Sequence, residues 1–135
     1  MVNPDYVPEW YISPFQNVQY TLARNQLHMD LLFEDMDKAD QFLDMGADAQ
    51  VSTFSDGAYA IVQIGDTADK DRIQVYGLLL HEAVHVWQKI KKLMGEREPS
   101  SEFEAYSIQA IAQDLFKMYE ESEVKSHGVE GEKAD

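Results

Sequence analysis

The 135-residue chain contains no cysteine. That excludes a disulfide framework, a thiol nucleophile and any thiolate metal site, so a metal here must be held by His, Asp or Glu. Basic residues are scarce as well: 11 Lys and Arg stand against 25 Asp and Glu, for a formal net charge of −14. Such a field repels phosphate backbones and anionic membrane surfaces, and argues against nucleic acid and membrane as partners. No apolar run approaches the ~18 residues of a membrane span, and the N-terminal segment has neither a basic region nor the apolar region of a signal peptide. A cytoplasmic protein, or one exported by another route, is expected. What is present, 44% hydrophobic and 27% charged residues, is the composition of one ordinary globular domain.

Three of the four prolines fall within residues 1–14, beside Trp10 and Tyr11. This predicts an extended arm over residues 1–16, pinned by its aromatics. Val18, Tyr20 and Leu22 alternate with polar neighbours and predict a half-buried strand over residues 17–24. Leu27, Leu31, Leu32, Met36, Phe42 and Leu43 recur near helical spacing, so a helix is expected over residues 26–45, stopped by Gly46. Asp56-Gly57, between two apolar-rich runs at residues 50–55 and 58–64, predicts a hairpin with a type I′ turn. Asp66, Asp69 and Asp71 precede a long apolar-rich helix over residues 72–94, ended by Gly95. Pro99, Ser100 and Ser101 start a last helix that runs to about Glu121. Residues 122–135 hold too few apolar side chains to offset ordering entropy and are expected to be a disordered acidic tail, leaving one domain over residues 17–121.

His81-Glu82-Ala83-Val84-His85 lies inside the long helix, where positions i and i+4 share one face a turn apart. Two imidazoles at that spacing can share one metal ion. A catalytic zinc takes three protein ligands and an open position for water, and the Glu after the first His sits beside that water as general base. At this composition about 0.01 such matches are expected by chance. At about 100° per residue, Gln74, His81, His85, Gln88 and Lys92 form a narrow polar stripe on a helix that is otherwise apolar over more than half its circumference. Glu82 falls at the edge of that stripe, among Val75, Leu79 and Val86, where poor solvation favours the raised pKa of a base.

A third ligand is sought one loop downstream, where Glu102 and Glu104 both stand. Glu104 tops the apolar stripe of Ile108, Ile111, Leu115 and Met118, whereas Glu102 shares the polar face with Gln109 and Gln113. An inward acid must be paired or bind a cation, which favours Glu104, although Glu102 stays open. His28, near Asp30 and Glu34, reads instead as a solvated charge partner, and Lys89, Lys91 and Lys92 as cations that favour a helix C-terminus.

His81-Glu82-x-x-His85, 18 residues and then Glu104 resembles the pattern of the gluzincin zinc metallopeptidases. The stretches around Leu80 to Gln88 and Pro99 to Gln109 are also similar to small zincin-like proteins encoded by tailed phages and prophages. The resemblance implies zinc ligands at His81, His85 and Glu104 and a general base at Glu82. It further implies a strand before the active helix, at Tyr59, Ala60, Ile61 and Val62, that pairs edge-on with peptide substrate. The family's additional oxyanion donor has no motif-defined equivalent here; Tyr59, Tyr106, Tyr119 and His127 are its weak candidates. The expectation is thus an α+β, minimal zincin-like fold: about three strands packed on the active-site helix, with two further helices. Its activity would be zinc-dependent (Zn2+) hydrolysis of a peptide or protein substrate, with Gln88 orienting the ligands. Nickel and manganese remain alternatives to zinc. The rival expectation is a non-catalytic acidic phage accessory protein that binds a basic host partner through a zincin-like scaffold.

Overall fold

The computed structural model describes residues 1–13, 17–34, 40–43 and 46–124. The fold is α+β, with strands β1 (Tyr11–Ile12), β2 (Gln19–Ala23), β3 (Ala49–Phe54) and β4 (Tyr59–Ile64) and helices α1 (Gln26–Leu32), α2 (Arg72–Met94) and α3 (Ser101–Ser122). The strands form one mixed sheet of order β1-β2-β4-β3, in which β2 runs parallel to β4 and the other neighbours are antiparallel. The described sheet thus has four strands, one more than expected, because the N-terminal arm contributes β1.

One face of the sheet carries α2 and α3. Tyr20, Leu22, Ala60, Val62 and Ile64 pack there against Val75, Leu79, Ala83, Val86 and Trp87 of α2 and Ile111, Leu115 and Met118 of α3. The opposite face is covered by α1 and the arm, where Ala23 and Ile61 meet Met29, Phe33 and Trp10. β4 is buried along nearly its whole length, and its run Tyr-Ala-Ile-Val-Gln-Ile is that of a strand covered on both faces and paired on both edges. β3 is half-buried throughout, and among the described residues no strand pairs with its other edge.

The hairpin forms as expected between β3 and β4, but its turn has four residues between the Phe54–Tyr59 pair. Ser55, Asp56 and Gly57 are all left-handed at φ +52°, +58° and +87°, closed by the Gly57 N–H donating to the Phe54 carbonyl at 3.2 Å and the Ala58 N–H to the Ser55 carbonyl at 3.1 Å. Both central residues need positive φ in a type I′ turn, which Asp tolerates and Gly adopts freely. α2 starts at a capping box, Asp71 accepting from the Gln74 N–H and the Gln74 side chain accepting from the Asp71 N–H. It ends at Gly95 in the left-handed region, whose N–H returns to Lys91 and Lys92 carbonyls.

Three expectations are corrected. The first helix stops at Leu32 rather than extending over residues 26–45: Phe33 closes it, and the Gln26 side chain bonds the backbone of Asp40 and Phe42, folding the chain back along α1. Residues 35–39 and 44–45 of that expected helix lie outside the described residues. His28 is buried rather than solvated, its Nδ1 accepting from the Arg24 N–H at 2.9 Å, its ring edge-on to Tyr6. Residues 122–124 of the expected tail belong to the fold: Ser122 is the last residue of α3 and fully buried, and Glu123 pairs with Val2 of the arm. Residues 125–135 lie outside the described residues. Among the described residues no helix is long and apolar enough to cross a membrane.

Candidate functional site

α2 packs by two flanks, which fixes where its polar stripe can point. On one flank it meets α3: Tyr76 packs on Phe116 and Trp87 on Phe103. On the other it passes β3, and there His81, His85, Gln88, Lys89 and Lys92 join Ala49, Gln50 and Val51 around an open cavity of about 500 Å3.

His81 Nε2 and His85 Nε2 lie 3.2 Å apart, their rings edge-on. A tetrahedral zinc with bonds of about 2.0–2.1 Å holds two of its donors about 3.3 Å apart, so this pair has the separation of two zinc ligands. Gln88 presents Oε1 to His85 Nδ1 at 2.9 Å, so Nδ1 carries the hydrogen and the lone pair of His85 is left on Nε2. His81 Nε2–H then donates into that lone pair, and the hydrogen lies where a shared metal ion would sit. Gln88 thus holds the ring of His85 in place.

Glu82 is 5% exposed and lines the same cavity. Burial raises its carboxyl above the ordinary value, opposed by the positive charge that His81 and His85 carry when protonated. A carboxyl so shifted is able to take and return a proton.

Glu104 does not join them. Its Oε2 accepts from Trp87 Nε1 at 2.8 Å and lies 3.7 Å from Lys91 Nζ, on the α3 flank. Trp87 follows His85 by two residues, about 200° around the helix, so a carboxylate bound to Trp87 faces away from the imidazoles. Ile111, Leu115 and Met118 are buried as expected, but Glu104 above them is half-exposed, because α3 packs on the flank of α2 that the histidines do not occupy, and the indole N–H binds the acid instead. Glu102 is exposed at the same end of α3. Among the described residues no set of three His, Cys, Asp or Glu side chains is placed to hold a metal ion. The donor set therefore fits zinc in two ligands, with further positions open.

The substrate strand is likewise corrected. Tyr59, Ala60, Ile61 and Val62 belong to β4, whose N–H and C=O groups already pair with β2 and β3, so no peptide can add there. Among the described residues, the strand edge beside the histidines that no other strand pairs with belongs to β3, which sequence reasoning passed over. Its signal was present: Gln50, Ser52 and Thr53 interrupt β3 with polar side chains, whereas β4 is a nearly unbroken apolar run. None of the tyrosines considered as an oxyanion donor reaches the cavity. Tyr59 stacks on Phe54, Tyr119 shares a hydrogen bond with Thr67 at 2.6 Å, and Tyr106 is exposed on α3. His127 lies outside the described residues.

No protein-family model, curated protein or solved structure matches this chain.

Proposed function

We propose that this chain is a zinc-dependent peptide hydrolase centred on His81, Glu82 and His85. The observation that carries the reading is the 3.2 Å separation of the two Nε2 atoms beside a buried carboxyl. When bound by these imidazoles, zinc supplies Lewis acidity toward a carbonyl oxygen and a water molecule. The chain's own groups do the rest. The open edge of β3 pairs with an extended peptide and lays its scissile amide along the cavity. Glu82 takes a proton from the attacking water as its oxygen bonds the carbonyl carbon, then delivers that proton to the departing amine as the C–N bond breaks. Gln88 keeps His85 turned so that Nε2 faces the cavity.

Elemental analysis of the full chain, purified without chelators and then exposed to zinc, tests the reading, together with its cleavage of a mixture of unstructured peptides. About one zinc per chain and cleavage that a chelator abolishes are expected. Failure to retain zinc would overturn the reading. The net charge of −14 would then favour the second one, a non-catalytic acidic protein whose partner is basic and whose binding weakens steeply with salt.

A further inference from the structure

The cavity does not end at the histidines. Lys89 and Lys92 line it beyond His85, and the same two lysines line an adjoining depression of about 310 Å3 with Thr53 and Phe54 of β3, Asp56 and Gly57 of the hairpin turn, and Leu93. Both are exposed, and among the described residues neither has a carboxylate partner, whereas Lys70 pairs with Asp48 and Asp69, and Lys91 with Glu104. Lys92 follows His85 by seven residues and Lys89 follows Glu82 by seven, each about 20° from its predecessor's position around the helix. The two ammonium groups thus extend the stripe of the candidate site instead of scattering around α2. A favourable helix dipole accounts for Lys92, in the last turn, but not for Lys89, which lies outside it.

We propose that the Lys89–Lys92 end of this groove is a subsite for acidic side chains, so that the preferred substrate is an extended peptide carrying Asp or Glu. This rests on the peptide-hydrolase reading and adds its substrate class. Along α2 the two lysines lie about 6–12 Å beyond the histidines, which is about two to four residues of a peptide extended along β3. A chain with 25 acidic residues repels an acidic peptide at long range. At ordinary ionic strength that repulsion is screened beyond about 10 Å, while direct contacts to the two ammonium groups survive. The groove is thus a place on this acidic surface where a docking carboxylate meets two ammonium groups against one lining acid of the depression, Asp56.

The test uses the full chain with Glu82→Gln, so that peptide is bound and not consumed. Two labelled ten-residue peptides of Val and Thr, one carrying two Glu and the other two Gln at the same positions, are titrated by fluorescence polarisation. The Glu peptide should bind about tenfold more tightly, as two exposed ion pairs allow. Lys89→Ser with Lys92→Ser should erase the difference, and Lys89→Arg with Lys92→Arg should keep it. Equal affinities for the two peptides, or a preference that survives the Ser variant, would overturn the proposal. Zinc content measured on the same samples separates the two readings. A Glu preference without bound zinc upholds the subsite and sinks the hydrolase, and bound zinc without a preference does the reverse.

Discussion

Arg24 and Glu82 are both charged side chains almost withdrawn from water, 2% and 5% exposed, but the fold treats them differently. Arg24 engages all three of its nitrogens: Nε donates to the Ile64 carbonyl, NH2 to the Gly65 carbonyl, and NH1 to Ser122 Oγ and Glu123 Oε2, with the guanidinium over the Tyr119 ring. Glu123 in turn holds the N-terminal ammonium at 3.2 Å, so this centre ties β2, the end of β4, the end of α3 and the arm together. Glu82 stands beside two imidazoles, and its carboxyl opens on a cavity. A buried charge whose partners are all present holds a structure together. One held with bonding capacity left over is suited to chemistry, at some cost to stability.

Substitution should separate the two centres. Arg24→Met leaves two buried carbonyls and the Ser122 hydroxyl without their donor, and should lower the free energy of unfolding by about 3–5 kcal/mol. Chemical denaturation measures this, and zinc retained by the folded fraction should be unchanged. Glu82→Gln should do the opposite. Replacing a carboxylate penalised by burial should leave the melting temperature equal or higher, while peptide hydrolysis falls by about 10²–10⁴-fold with zinc retained. If Glu82→Gln destabilised the chain as Arg24→Met does, Glu82 would belong to the structural class and the contrast would fail.

How far the sequence disclosed these centres follows from which physics each depends on. α2 was legible to the residue because its signals are local: a capping Asp71, an apolar stripe at helical spacing and Gly95. The facing of His81 and His85 and the burial of Glu82 follow from the same periodicity. The position of Glu104 depends on which flank of α2 receives α3, a long-range choice that periodicity does not encode, so an acid expected to face the core and the imidazoles is half-exposed and bound to Trp87 instead. β4 was taken for an edge because chain order places it before α2, but the parallel pairing with β2 moves it to the middle of the sheet. Arg24 drew no notice, since its partners come from residues 40 to 99 positions away.

Zinc affinity sharpens the contrast further, with smaller effects. Gln88→Ala frees His85 to rotate and should weaken zinc binding by about 10–100-fold, as loss of such supporting bonds does elsewhere. Glu104→Gln should change that affinity by less than about twofold, since Gln can still accept from Trp87 Nε1 and only the long contact to Lys91 is lost. Its effect on stability should be within about 1 kcal/mol. Competition against a chelator measures both, and a large loss in Glu104→Gln would restore Glu104 as a ligand.

The smallest effect is expected at His28, which belongs to the Arg24 centre. Its imidazole is held neutral because burial, and then the charge of Arg24, lower its pKa below the ordinary 6.5. Its Nδ1 must stay unprotonated to accept from the Arg24 N–H. The unfolded chain therefore takes up this proton at a higher pH than the folded one. The stability linked to His28 is complete above about pH 6.5 and is lost as pH falls from there toward the lowered folded value. His28→Asn can place an amide oxygen where Nδ1 accepts and has no proton to gain. Thermal unfolding at pH 7.5 and pH 5.5 should therefore show a smaller drop in the His28→Asn variant than in the parent, the carboxylates contributing equally to both. Equal drops would mean that the Arg24 centre tolerates a second positive charge, and that its closure is weaker than its hydrogen bonds imply.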